Sequence, residues 1–448
     1  MRQKRLAQRS LFESDFVDHE IGRELAGMSR WLDEHPELLD LVARDIDPQG
    51  VSRFGRQGLT HEVILRCAIL KQYRQVGYRE LEFHIRDSRS LQRFARVDPL
   101  RVPGKSALQA AIGTIRAPTW QKLNDVLLRD ARVAKIERGD QIRLDSTVTE
   151  THILEPTDSR LLFDGVRVMV RLLKEARDEL GIRIVFHSHW RLAKRRARAI
   201  WSARRAEQRV TLYRDLLAAV RSTLDYVRVA RTAVESCRQP WSIRWLSEEK
   251  HYRALIDKVI DQSERRVFNG ETVPAREKVV SLFEPHTDII QKGGREVYYG
   301  HKVTLSTGRS GLVLDAVIED GNPPDSKCCI PMLERHVARY GSVPVSMACD
   351  GGYADKANLA AAKALGVVNA VFHKKKGLEV KAMATSQWLY NKLKCFRAGI
   401  EAGISYLKRC FGLDRCNWKG LGHFTSYVWS SLFTHNLLVL GRLRPKPS

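Results

Sequence analysis

The sequence predicts an α/β protein with a helical N-terminal domain over residues 1–135, an α/β core from residues 136–150 and 291–448, and a largely helical insertion, 151–290, after the first core strand. Three observations carry that reading. Runs of β-branched and apolar residues, 141–148 and 343–350 among them, have the length and composition of strands. Elsewhere apolar residues recur at three- and four-residue steps, the period of a helix. At 448 residues the chain is longer than one hydrophobic core fills, so two or three structural units are expected.

In chain order, residues 1–9 are basic and hold no apolar stretch that would make a signal peptide, and the longest apolar stretches fall far short of a membrane span. A cytoplasmic protein is expected. Val63, Ile64, Cys67, Ile69 and Leu70 begin an amphipathic helix, Gly77 and Tyr78 break it, and Leu81, Phe83 and Ile85 continue the pattern. Ser88 and Ser106 read as N-caps of later short helices. Residues 59–116 thus have helix-turn-helix character. Their polar face is rich in arginine (Arg66, Arg74, Arg79, Arg86, Arg89, Arg93, Arg96), which suits DNA docking as well as the solvated face of a small bundle.

The run 141–148, Gln-Ile-Arg-Leu-Asp-Ser-Thr-Val, reads as the first core strand. The insertion that follows carries a dense basic helix over 191–209, where Arg195 and Arg196 lie among eight Lys or Arg residues against Glu207 alone. It suits a DNA-backbone or partner-subunit contact, or a long solvated helical hairpin. His187 and His189 form an H-x-H pair with no further ligand clustered nearby, which favours ordinary polar packing. Residues 297–306 and 311–318 read as a hairpin across 307–310; then come a helix at 327–340, the strand ending at Asp350, a helix at 356–365 and a strand at 366–372. His373 and the lysines 374–376 follow that strand as a basic turn.

Three acids stand out against this order. Asp145 lies within the first strand, Asp350 closes a later one just before Gly351 and Gly352, and Glu401 sits where Leu393, Phe396, Ile400, Ile404 and Leu407 mark a helix. Each has an ordinary structural reading: an edge-strand aspartate, a turn former, and an i, i+4 partner of Arg397. Together, two strand-borne aspartates and a helix-borne glutamate can converge on hard divalent cations, as a two-metal phosphoryl-transfer site requires. Arg397, four residues before Glu401, and Lys408, seven after it, share the glutamate's helical face, with Lys394 on the same stripe.

Arg397-x3-Glu401-x6-Lys408 resembles the Tyr-x2-Arg-x3-Glu-x6-Lys signature of bacterial insertion-sequence DDE transposases, and Asp350-x-Gly352-Tyr353 resembles their second-aspartate motif. Lys394 stands where the family has tyrosine. The resemblance implies an RNase H-like catalytic core, in which the first strand and the end of the fourth lie side by side. It implies Asp145, Asp350 and Glu401 as catalytic and metal-binding residues, with Mg²⁺ as cofactor and Mn²⁺ as a substitute. Arg397, Lys408, Lys394 and Tyr353 are expected to touch DNA, with Arg195 and Arg196 of the insertion. The implied activity is cleavage at the ends of an insertion sequence and joining of the 3′-hydroxyl ends to target DNA, by a homodimer or higher oligomer on DNA.

Composition agrees with such a partner: 76 Lys and Arg against 52 Asp and Glu give a net charge of +24. The eight cysteines show no C-x-x-C spacing, so neither a zinc site nor a disulfide framework is expected. No glycine-rich loop precedes a helix, so no nucleotide cofactor is expected, and no membrane partner either. Two other classes fit the same residues: an RNase H-like nuclease or resolvase that cuts without joining, and a non-catalytic DNA-binding protein derived from a mobile element.

Overall fold

The computed structural model describes residues 16–48, 58–179, 181–237, 239–292, 296–373 and 377–444. The readings of residues 1–9 and of the lysines at 374–376 lie outside them. The chain divides into two compact units, Met1–His152 with His301–Ser448, and Ile153–Gly300. The second of these spans residues 153–300, against 151–290 expected for the insertion.

The first unit opens with helices α1 (Glu20–Glu34), α2 (Leu38–Ile46), α3 (His61–Arg74), α4 (Tyr78–Asp87), α5 (Arg89–Ala95), α6 (Lys105–Gly113) and α7 (Ala117–Val133), followed by strand β1 (Gln141–Thr151). Local chemistry sets their ends. The Thr60 hydroxyl accepts from Val63 N to start α3, and the Ser88 hydroxyl accepts from Leu91 N to start α5. Ser106 does not cap: α6 begins one residue earlier, with Gly104 as its N-cap.

The second unit is largely helical, with α8 (Asp158–Asp178), α9 (Trp190–Ser202), α10 (Ala206–Ser236) and α11 (Pro240–Val267), then strand β2 (Asp288–Lys292). It has its own core, with Leu162, Leu172, Leu173, Leu216, Val227 and Val259 among its buried side chains. The buried carboxylate of Asp158, in the first turn of α8, receives Gln262 Nε2 at 2.9 Å and Arg266 Nη1 at 2.8 Å, so its charge is buried with partners. On α9 only Ala193 and Ile200 are buried, which leaves the basic face outward.

Strand β3 (Glu296–Thr307) pairs through its first residues with β2, in antiparallel register, inside the second unit. The first unit resumes with β4 (Val313–Ile318), α12 (Asp325–Tyr340), β5 (Ser346–Cys349), α13 (Lys356–Ala364), β6 (Asn369–Phe372), α14 (Val380–Met383), α15 (Gln387–Phe411), β7 (Arg415–Cys416) and α16 (Leu421–Leu443). Its strands run in the order β3-β1-β5-β6; β4 closes the expected hairpin antiparallel on β3, and β1, β5 and β6 are parallel. The fold class is mixed α/β.

The N-terminal helices and the sheet share one hydrophobic core, from Leu25 to Leu440. Its centre is α16, buried along most of its length, and polar side chains on that helix tie its neighbours together. Asn436 Oδ1 accepts from Val313 N at 2.8 Å, while Nδ2 donates to Asn124 Oδ1 at 2.8 Å and Val313 O at 2.7 Å. Gln72 Nε2 donates to Ser430 Oγ at 2.7 Å. No packing boundary therefore falls near residue 135.

The arginine face of the N-terminal helices needs one correction. Arg66 is buried, not solvated: its guanidinium meets Glu62, Asp33, Ser29 Oγ and Phe94 O at 2.9–3.1 Å. Arg96 also turns inward, to Asp33 at 2.8 Å. Arg74, Arg79, Arg86 and Arg89 remain exposed. Among the described residues no helix is long and apolar enough to cross a membrane.

Candidate active site

Strand register accounts for the meeting of the two aspartates. Parallel pairing matches Arg143 with Ala348 and Leu144 with Cys349, so the next step brings Asp145 beside Asp350. Along β1, Ile142 and Leu144 point into the core at 0 % exposure. Arg143 and Asp145 take the opposite face by the period of two. Asp350 opens the single 3-10 turn Gly351–Tyr353.

Helix α15 brings the third acid. It starts at Ser386, whose hydroxyl accepts from Leu389 N at 3.1 Å, and ends at Gly412 in the left-handed region at φ 72°. Tyr390, Leu393, Ile400, Leu407 and Phe411 form its buried stripe. Arg143 fixes how the helix sits on β1. Its Nη1 donates to Phe396 O at 2.7 Å, its Nε donates to Thr307 Oγ1 at 2.8 Å, and its guanidinium lies 4.7 Å from the Phe396 ring centroid. Gly399 makes room for this contact, because a Cβ there would run into the Arg143 guanidinium.

The three acids converge on Arg397. Its Nη2 lies 3.1 Å from Asp145 Oδ2 and 3.0 Å from Asp350 Oδ1, and its Nη1 lies 2.7 Å from Glu401 Oε1. The arginine is buried, while the carboxylates become progressively more open, their side chains 15 %, 36 % and 62 % exposed in that order. The DNA contact expected of Arg397 is thus not what this structure gives it. It is the counter-ion of the acids.

A further carboxylate stands behind this group. Asp325, at the start of α12, accepts from Ser146 Oγ at 2.9 Å and pairs with buried Lys302 at 2.6 Å. Ser146 N in turn donates to Asp145 Oδ1 at 2.7 Å, so Asp325 and Lys302 brace the backbone that carries the first aspartate. A Cβ at Gly352 would collide with the Asp325 carboxylate, which explains a glycine in the second-aspartate motif. Tyr353 is fully buried there and corrects the DNA contact expected of it. Burial pushes its phenol well above the ordinary range, and Asp325 and Asp145 add to the effect. Arg143, Ser146, Lys302 and Asp325 were not among the expected site residues, and none has a motif that marks it.

The remaining expected contacts lie at different levels of exposure. Lys394 is half-buried, and Lys408 Nζ pairs with Asp414 at 3.3 Å. On α9, Arg195 is exposed and Arg196 pairs with Asp215 at 2.9 Å. His373 is half-buried after β6.

Among the described residues no three His, Cys, Asp or Glu side chains are close enough together to hold a metal ion as they stand. The donor set nevertheless fits a hard divalent cation, since all three acids offer oxygen and already share a cation, the Arg397 guanidinium. Removing that guanidinium would leave three carboxylates facing a common space. What the arrangement can do chemically is hold positive charge among three carboxylates that open progressively to solvent.

Residues 266–437 match the family model described as the transposase DDE domain. The match takes in Asp350, Arg397, Glu401 and Lys408, and begins after Asp145. Neither a curated protein nor a solved structure matches the chain. Residues 266–437 are thus similar to the transposase DDE domain, and that similarity supports an insertion-sequence DDE transposase.

Proposed function

We propose that this protein cleaves DNA at the ends of an insertion sequence and joins the freed 3′-hydroxyl ends to target DNA, with Asp145, Asp350 and Glu401 as the catalytic and metal-binding residues. The observation that carries the reading is the convergence of those three acids on one guanidinium from two strands and a helix. The strand order supports an RNase H-like core: the first core strand is central, with the β3-β4 hairpin on one side and parallel β5 and β6 on the other.

When bound, Mg²⁺ or Mn²⁺ would supply the Lewis acidity that activates an attacking oxygen and stabilises the leaving one. The chain's own residues do the rest. Asp145 and Asp350, fixed by strand register, hold the cation side of the site, and Glu401 completes it from the open side. Arg143 sets the depth of α15 and hence the reach of Glu401. Asp325 and Ser146 keep Asp145 in place. Lys394 and Lys408 lie along the same helix, where a DNA backbone beside the acids would pass, and Arg195 on α9 offers a further phosphate contact. Dimers or larger assemblies on DNA, in the cytoplasm, complete the proposal.

The test is divalent-dependent cleavage and strand transfer by the purified chain on DNA carrying the ends of its element. Asp145→Asn, Asp350→Asn and Glu401→Gln are each expected to abolish both steps and to retain most DNA affinity, which comes from Lys and Arg. A Glu401→Gln protein that cleaves at the wild-type rate would remove that residue from the site. Cleavage without joining would leave a nuclease.

A further inference from the structure

A charged pocket lies in the first unit, at the other end of the strands from the three acids. Helix α7 leads into the start of β1 and α12 leads towards the start of β5, whereas Asp145 and Asp350 lie at the far end of the paired segment. Between α7 and α12 is a pocket of about 530 Å³. Arg129 and Arg132 line it from α7, three residues apart, and Arg335 and Arg339 from α12, four apart, so each pair shares a helical face. Among the described residues that line it, two are carboxylates, Asp125 and Asp315.

Part of this cluster is satisfied internally. Arg335 forks onto Asp315 at 2.7 and 3.0 Å, and Arg339 reaches Asp315 at 3.2 Å and Asp125 at 3.1 Å. Those pairs use up both carboxylates and leave a positive surplus on α7. Arg132 donates to Tyr340 O at 2.7 Å with its guanidinium over the Tyr340 ring, and Arg129 is exposed. Tyr340 itself is 6 % exposed, and its hydroxyl has no hydrogen-bond partner. Burial chiefly raises this phenol, Glu137 adds to the effect, and Tyr340 is among the residues that line the pocket. An internal salt-bridge cluster explains Arg335 and Arg339. It explains neither the surplus of arginine on α7 nor a buried hydroxyl left without a partner.

We propose that this pocket is a second phosphate site, remote from the catalytic acids, that takes a backbone phosphodiester of bound DNA. The guanidinium forks of Arg129 and Arg132 match a phosphate's oxygens, and the Tyr340 hydroxyl donates to the same group. Because Arg129, Arg132 and Arg335 are exposed at its rim, a duplex can reach it without opening the fold. The inference rests on the reading of DNA as the partner.

The experiment uses the full chain, a mixed-sequence DNA duplex and no divalent ion, with affinity measured across a range of salt concentrations. Arg129→Ala, Arg129→Glu and Tyr340→Phe are compared with wild type, and melting temperatures confirm folding. The Phe variant keeps the ring that stacks on His336, so it removes the hydroxyl alone. Both Arg129 variants are expected to weaken binding several-fold and to lower the slope of log affinity against log salt by about one. Tyr340→Phe weakens binding with little change in slope. In a parallel arm, inorganic pyrophosphate raises the melting temperature of wild type and not of Arg129→Glu. If wild type binds DNA and all three variants match it in affinity and slope, the pocket is not a DNA phosphate site. If pyrophosphate protection is lost in Arg129→Glu while DNA binding is intact, the ligand is a free phosphate and the DNA assignment falls. A wild-type chain that binds no DNA overturns the functional reading itself, and this assignment with it.

Discussion

Arg397 Nη2 stands 3.1 Å from Asp145 Oδ2, across 252 positions of sequence, and the same nitrogen reaches Asp350 Oδ1 at 3.0 Å. One buried guanidinium thus holds the strand-borne acids against the helix that carries Glu401. On the proposed function an incoming divalent cation would compete for the same oxygens, so arginine and metal would be alternatives at this point. Arg397→Met is expected to lower the melting temperature of the metal-free protein by several degrees. Three carboxylates are then left without their cation, a loss of roughly 1–3 kcal/mol once discounted for the exposure of Asp350 and Glu401. Mg²⁺ or Ca²⁺ is expected to restore more stability in the variant than it adds to wild type. Thermal melts with and without the ion decide it: an unchanged melting temperature and an unchanged response to the ion would show that Arg397 is not the acids' counter-ion.

Two glycines on α15 separate position from stability. A Cβ at Gly399 runs into Arg143, whereas at Gly403 nothing lies within 4 Å. Gly403→Ala is expected to stabilise by about 1 kcal/mol through helix propensity and to leave cleavage intact. Gly399→Ala gains the same propensity but pushes the helix off its anchor, and a shift of about 1 Å at a reacting group costs on the order of a hundredfold in rate. Equal cleavage rates in the two variants would mean that the Arg143 contact does not set the reach of Glu401.

The acids could be read in sequence because each sits in a local pattern that shows its element: a β-branched run for Asp145, a strand end with two glycines for Asp350, helical spacing for Glu401. What supports them could not. Arg143 acts on Thr307 and on Phe396, 164 and 253 positions away, and Ser146 acts on Asp325, 179 positions away. No local period encodes such contacts. Arg66 departs from the solvated face expected of it for a related reason, since an arginine on a helix has the same spacing whether it meets water or Asp33. Tyr353 shares a motif with Asp350 but lies in a single turn that directs it inward. The N-terminal helices were visible as helices. That α16 covers them was not, because the all-round apolar pattern of that helix shows that it is buried and not by what.

Acid should loosen the first unit through two histidines. Burial, the largest cause in both, holds the imidazoles of His336 and His435 down to about 4, against an ordinary value of 6.5. The folded value is below the unfolded one, so as pH falls the unfolded chain takes up protons first. The stabilising contribution is therefore complete above about pH 6.5 and is lost as pH falls towards 4. His336→Phe keeps the stacking on Tyr340 and removes one titrating group. Urea unfolding at several pH values should give a shallower fall in stability over that window for the variant. Parallel curves for variant and wild type would show that His336 is protonated as readily in the folded protein as in the unfolded one.

The packing of α16 leads to a prediction about fragments. Residues 1–135 include Trp31, Ile64, Trp120 and Leu127, all buried in a core that also contains Trp429, Phe433 and Leu437 of α16. Asn124, moreover, relies on Asn436 for its hydrogen bond. Cut from α16, the N-terminal helices would expose this surface to water at about 25 cal/mol per Å² and leave buried polar groups unpaired. Expressed alone, residues 1–135 are expected to show weak helicity and no cooperative melt. Residues 153–300 have a separate core and keep their buried Asp158 paired with Gln262 and Arg266, so this fragment is expected to be helical and to melt cooperatively. Circular dichroism of the two fragments side by side is the measurement. A cooperative transition in residues 1–135 would show that they form an independent domain after all, and end recognition could then be assayed on that fragment alone. If it is absent there and present in residues 153–300, any DNA contact made by the N-terminal helices has to be measured in the intact chain, where α16 holds them in place.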